Sequence, residues 1–105
     1  MKLSIYNKAS DINSPNIIDF DLFLENIKEG NWQDQVLKLR TTQEQSERDK
    51  IKKSLPGVTL SGQFSTRKDD AIIEHSGLIC IDIDHVDPSE AKSIICADEH
   101  CLAAF

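Results

Sequence analysis

The stretch LICIDIDH, residues 78–85, is the most informative part of this chain. It is a run of strand-forming apolar residues that ends in two carboxylates, Asp82 and Asp84. Residues two apart in a strand point to the same face, so the two carboxylates share one face with Leu78 and Cys80. We therefore predict a strand that carries a cation site where it leaves the core.

The chain has the size and composition of one small folded domain. Its 105 residues are 39% apolar and 29% charged, as in ordinary globular proteins. No apolar run approaches the roughly 20 residues of a membrane span, and residues 1–7 lack the features of a signal peptide. We expect a cytoplasmic protein with no membrane partner.

The three cysteines fit that compartment. An odd number without a CxxC pair disfavours a disulfide framework, and Cys80 is expected to pack as a small apolar residue. The stretch CADEHC, residues 96–101, suggests a metal cluster, but it lacks a second ligand pair at zinc spacing.

Charge is distributed unevenly along the chain. The net charge is −6, yet residues 38–68 hold eight basic residues against three acidic ones, which gives +5 there and leaves −11 for the remainder. Such a segment is either a solvated helix face or a surface that binds a polyanion. The candidates for phosphate contacts are Arg40, Arg48, Lys52, Lys53, Arg67 and Lys68.

Periodicity and breaker residues predict an α+β fold, a small mixed or antiparallel sheet with helices packed on it. Residues 2–7 alternate as a strand, with Leu3 and Ile5 inward and Ser4 and Tyr6 outward. Another strand is expected over residues 58–64, with Gly62 at a bulge or close approach. A short extended piece at residues 17–18 and the opening of a strand at residues 102–105 complete the strands.

Four helices are predicted between these strands. The first begins at Asp19 or Asp21 and ends at Gly30, and two more cover about residues 32–42 and 43–54. The last helix has Asp87 as its cap and Pro88 at its first position. Its buried face is expected to comprise Ala91, Ile94 and Ile95.

Two chemistries suit the paired carboxylates. Phosphoryl-transfer enzymes hold divalent metals with carboxylates, and magnesium prefers oxygen ligands. Alternatively, the stretch DIDHV fits the aspartyl-phosphate phosphatase pattern, with Asp82 as nucleophile and Asp84 as general acid/base. Turn formation and capping would explain Asp84 and Asp87 but would leave Asp82 unexplained. His85 is a candidate substrate contact.

Two blocks, residues 53–64 (KSLPGVTLSGQF) and 73–85 (IEHSGLICIDIDH), resemble the N-terminal domain of virulence-associated-E-like proteins. These are replication proteins of bacterial mobile elements, in which the domain precedes a helicase-like region. That domain is in turn similar to the archaeo-eukaryotic primase and primase-polymerase superfamily, whose first motif is an apolar strand ending in DxD.

The resemblance implies a DNA primase-like nucleotidyltransferase that uses Mg²⁺ or Mn²⁺, nucleoside triphosphates and single-stranded DNA. Asp82 and Asp84 would be its catalytic metal ligands. The later motifs of such enzymes are absent, so we expect residues 1–105 to be the N-terminal part of a larger primase-like domain that is inactive alone. The alternative is a non-catalytic module on the same scaffold that binds nucleic acid or the helicase.

Overall fold

The computed structural model describes all residues from Met1 to Phe105 and confirms the α+β class. Small antiparallel sheets pack against helices. The strands are β1 (Lys2–Tyr6), β2 (Asn16–Asp19), β3 (Gly57–Thr59), β4 (Gly62–Phe64) and β5 (Ile72–His75). The helices are α1 (Phe20–Lys28), α2 (Gln33–Thr41), α3 (Gln45–Ser54) and α4 (Pro88–Cys96), with a short 3₁₀ helix at Asp69–Ala71.

Strand β1 is the centre of a three-stranded antiparallel sheet in the order β2-β1-β3. Leu3 pairs with Ile18 on one side, and Ile5 pairs with Val58 on the other. The predicted strand is confirmed, but the prediction that Ser4 and Tyr6 face outward is wrong, since each is only 1% exposed. The reason is that β4 covers their face: the Ser4 hydroxyl donates to the Phe64 carbonyl at 3.2 Å.

Strands β4 and β5 form a second, two-stranded antiparallel sheet. The single strand predicted for residues 58–64 is divided into β3 and β4 by a turn at residues 60–61. The Thr59 hydroxyl closes this turn by donating to the Gly62 carbonyl at 2.9 Å. The predicted close approach at Gly62 is confirmed, because a Cβ there would overlap the Glu74 carbonyl.

The core lies between the first sheet and α1. It consists of four buried residues, Leu3, Ile18, Phe20 and Phe23. Partly buried side chains, including those of Trp32 and Leu78, pack around them. Helix α1 begins as predicted, with the Asp19 side chain accepting from the Asp21 amide. Gly30 follows its end with φ +75°, a conformation that favours glycine.

Three predictions for the last third of the chain are wrong. Residues 78–84 have no regular secondary structure, because no neighbouring strand supplies a hydrogen-bonded ladder. Helix α4 is present and capped by Asp87, but it has no buried residue and Ile94 is 68% exposed. Residues 102–105 form no strand; the Phe105 ring instead packs edge-on against Phe23, with centroids 6.2 Å apart.

None of the helices combines the length and the apolar character needed to cross a membrane.

Candidate functional site

Asp82 and Asp84 lie in residues 78–84, which have no regular secondary structure and leave the core after Leu78. We call these residues the carboxylate segment. Ser76 fixes the start of that segment: its hydroxyl donates to the Leu60 carbonyl at 2.6 Å and accepts from the Leu78 amide at 3.1 Å. Leu78 packs against the core, whereas Ile79 is already 88% exposed. The segment therefore has one anchored end, and its carboxylates lie on the free part.

Both carboxylates are exposed and make no hydrogen bond or ion pair within the chain. They differ in this from Asp87, whose side chain accepts from the Glu90 amide at 2.9 Å and caps α4. The capping explanation thus accounts for Asp87 alone. Asp82 and Asp84 keep all their oxygen lone pairs available for an external cation.

His85 follows the carboxylates and has φ +60°, the left-handed region that few non-glycine residues adopt. It turns the chain from the carboxylate segment towards the cap of α4. Its ring is exposed and has no hydrogen-bond partner. The structure therefore gives His85 a place at the turn, next in sequence to Asp84.

Two of the six predicted phosphate-binding residues are engaged by the fold itself. Arg48 donates to the carbonyls of Leu39 at 2.8 Å and Thr42 at 3.0 Å, at the end of α2. Arg67 donates to the carbonyls of Ala9 and Asp11, and its guanidinium lies 5.6 Å from the centre of the Tyr6 ring. Both arginines thus bind main-chain carbonyls of the chain itself.

The other four basic residues are exposed and take part in no ion pair: Arg40, Lys52, Lys53 and Lys68. Lys52 and Lys53 lie in the last turn of α3, where positive charge also complements the helix dipole. These four side chains are free to meet a phosphate. Sequence charge alone does not separate them from the two arginines, because the carbonyl partners of Arg48 and Arg67 are defined only by the folded chain.

An open groove of about 450 Å³ lies beside the anchored end of the carboxylate segment. Its walls are mostly apolar and include Val58, Leu60, Leu78 and Cys80. Cys80 is exposed here, so the expectation that it packs as a buried apolar residue is wrong, because the strand that would have buried it does not form.

The donor set suits a hard cation. Magnesium is commonly held by one or two carboxylates, with water and substrate phosphates completing its shell. Asp82 and Asp84 fit that description, since both offer unpaired oxygens. The structure gathers no group of three histidine, cysteine or acidic side chains around a common point. Any cation here would take its remaining ligands from water or a bound phosphate.

A protein-family model described as BT4734-like, N-terminal domain, matches residues 50–105, more than half of the chain. The match contains the 3₁₀ helix, three strands, α4 and the whole carboxylate segment. No curated protein and no solved structure matches this chain.

Proposed function

The chain belongs to the family BT4734-like, N-terminal domain, and we propose that Asp82 and Asp84 form the first metal-binding element of a primase-like nucleotidyl-transfer site. The observation that carries this proposal is the pair of unpartnered carboxylates two residues apart, directly after an apolar run whose first residue, Leu78, packs against the core. The resemblance of residues 53–64 and 73–85 to virulence-associated-E-like proteins supports the same conclusion. The protein would then act in DNA replication of a mobile element.

In this role the two aspartates hold Mg²⁺ or Mn²⁺. A divalent cation held there would supply positive charge to the phosphates of a nucleoside triphosphate. The chain itself contributes the two carboxylates, on a segment whose start is held by Ser76 and Leu78. In this proposal His85, which follows Asp84, is a candidate contact to the phosphate or substrate.

The exposed basic residues supply contacts to single-stranded DNA. Arg40, Lys52, Lys53 and Lys68 are free for phosphate oxygens, whereas Arg48 and Arg67 contribute by holding their loops in place. A helicase-like region of the same or a partner protein would deliver the strand.

Calorimetric titration with Mn²⁺ tests the metal site. We expect saturable binding to the wild-type chain and its loss in the double variant Asp82→Asn/Asp84→Asn. The matched control is Asp69→Asn/Asp70→Asn, which removes the same charge from another exposed acidic pair. Equal Mn²⁺ binding by all three proteins would reject the proposed site, as would equal loss in both variants.

A second candidate is a non-catalytic module that binds nucleic acid or the helicase. The four free basic residues favour it, since phosphate contacts need no carboxylate. Fluorescence anisotropy with single-stranded DNA separates the two functions. The module predicts a steep salt dependence, binding unchanged by Asp82→Asn/Asp84→Asn, and binding lost in Lys52→Glu/Lys53→Glu.

The control for that charge reversal is Lys28→Glu/Lys92→Glu, which changes net charge equally outside residues 38–68. If DNA binding requires Mn²⁺ and both aspartates, the catalytic proposal is favoured over the module. If both charge reversals weaken binding equally, net charge alone explains the affinity and the module is rejected.

A further inference from the structure

A cavity of about 260 Å³ lies where α2, the end of α3 and the end of β1 meet. The residues that line it include Asn7, which follows β1, Trp32 and Gln35 at the start of α2, and Ser54, the last residue of α3. The cavity shares no lining residue with the groove beside the carboxylate segment. It is therefore a separate place at which a ligand can meet the chain.

Trp32 gives this cavity an aromatic wall that the core holds in position. Its indole ring packs against the core residue Phe23, with ring centroids 6.1 Å apart and ring planes inclined at 41°. Because the ring is already ordered, a ligand that stacks on it meets little of the entropic cost of fixing a mobile side chain. Aromatic side chains bind nucleobases of any sequence by such stacking.

The polar groups of the cavity wall are neutral, and most are unengaged. The side-chain amides of Asn7 and Gln35 make no hydrogen bond within the chain. The Ser54 hydroxyl donates to the Ile51 carbonyl at 2.7 Å, which leaves its oxygen free to accept. Tyr6 also lines the cavity, and its hydroxyl is buried without a hydrogen-bond partner. Amides that both donate and accept suit the polar edge of a neutral heterocycle.

Positive charge lies next to this cavity in sequence and not within its wall. No lining residue is charged, but Lys8 follows Asn7 and Lys53 precedes Ser54. Both lysines are exposed and take part in no ion pair. A neutral aromatic site flanked by free cations is the combination that binds single-stranded nucleic acid, with bases stacked and phosphates neutralised.

We propose that this cavity binds one nucleobase, which stacks on Trp32 and hydrogen-bonds to the amides of Asn7 and Gln35. The adjoining phosphates then meet Lys8 and Lys53. The volume of about 260 Å³ lies below the roughly 300–1,000 Å³ of sites for drug-sized ligands, so it suits a single base rather than a whole nucleotide. The inference rests on the proposed binding of single-stranded DNA or a nucleoside triphosphate and names the part of the chain that holds the base.

The fluorescence of Trp32, the only tryptophan in the chain, tests the site directly. Titration with a short oligothymidylate should quench the emission saturably, because a stacked base quenches an indole. An abasic oligonucleotide of the same length presents the phosphates without bases and should leave the emission unchanged. Thymidine triphosphate is titrated separately: quenching by the oligonucleotide alone assigns the cavity to a base of the strand, and quenching by the triphosphate alone assigns it to a free nucleotide.

A substitution on α2 tests the hydrogen bond to the base. Gln35→Met keeps the length of the side chain and removes its amide, so we expect the dissociation constant for oligothymidylate to rise about fivefold. Gln33→Met is the matched control, since Gln33 lies on the same helix but does not line the cavity. Circular dichroism checks that both variants remain folded. Equal weakening by the two substitutions would overturn the assignment of Gln35.

The outcomes separate this site from the function on which it rests. If labelled oligothymidylate and the abasic strand bind equally by anisotropy and Trp32 emission stays constant, the cavity proposal is overturned while DNA binding through the lysines stands. If neither strand binds, the proposed DNA binding fails. The cavity proposal fails with it unless thymidine triphosphate still quenches Trp32.

Discussion

Gly62 lies where the backbone of β4 closely approaches that of β5. Its φ is +149°, and a Cβ at this position would overlap the carbonyl of Glu74. We expect Gly62→Ala to lower the free energy of unfolding by at least about 2 kcal/mol, because backbone strain and a clash with main-chain atoms add together. Urea denaturation followed by circular dichroism measures the change.

Gly77→Ala is the matched control for this substitution. Gly77 also has a positive φ, +82°, but a Cβ added there would meet no atom within 4 Å. Gly77→Ala should therefore lower the free energy of unfolding by only about 1 kcal/mol, which is the contribution of the backbone conformation alone. Equal losses in the two variants would show that the close approach of β4 to β5 contributes nothing.

Ser4 joins the two sheets through a single buried hydroxyl. Its Oγ donates to the Phe64 carbonyl at 3.2 Å and accepts from the Phe64 amide at 2.8 Å. Ser4→Ala leaves both main-chain groups without their partner, so we expect a loss of about 1–3 kcal/mol in the free energy of unfolding. Ser65→Ala, at an exposed position, should change it by less than about 0.5 kcal/mol. Denaturation curves that coincide for the two variants would contradict this role of Ser4.

At the scale of elements, local signals predicted the helices and contacts distant in sequence decided the rest. Asp19, Gly30 and Asp87 act within a few residues of their position, so their pattern indicated where helices begin and end. The burial of Ser4 depends on β4, sixty residues away, and no local pattern contains it.

The carboxylate site shows the same division. The spacing of Asp82 and Asp84 predicted a cation site, and the structure leaves both carboxylates unpartnered, which is compatible with one. The prediction of a strand over residues 78–84 is wrong. Apolar residues favour a strand, but a strand forms only where a neighbouring strand supplies hydrogen-bond partners. Arg48 and Arg67 remain predicted phosphate contacts, and the fold adds that their guanidinium groups donate to main-chain carbonyls.

In helix α4 the contribution of the N-cap to helix stability can be measured without a contribution from buried side chains. It has no buried residue, so its stability depends mainly on Asp87, whose side chain accepts from the Glu90 amide. We expect Asp87→Ala to destabilise the helix by about 1 kcal/mol and raise amide exchange of residues 90–94 about fivefold. Asp87→Asn retains the acceptor and should exchange like the wild type. Equal exchange in the alanine variant would show that the cap is dispensable.

For the whole molecule, the most conspicuous surface feature is the series of isoleucines beside the carboxylates. Ile79 is 88% exposed, Ile81 78% and Ile83 44%, all within the segment that forms no strand. Contiguous exposed apolar surface promotes association. We therefore expect the wild-type chain to self-associate as its concentration rises, and Ile79→Lys/Ile81→Lys to shift it towards the monomer in sedimentation velocity.

The same double variant should leave the free energy of unfolding within about 0.5 kcal/mol of the wild type, because the two side chains are largely solvated in the folded chain. The control is Ile12→Lys/Ile94→Lys, which adds the same charge at isoleucines that are 56% and 68% exposed but far apart in sequence. If association depends on the contiguous segment, the control retains it. Each double variant adds two lysines and so changes the net charge of −6 by the same amount. If both variants reduce association equally, the added charge and not the isoleucine series is therefore the cause.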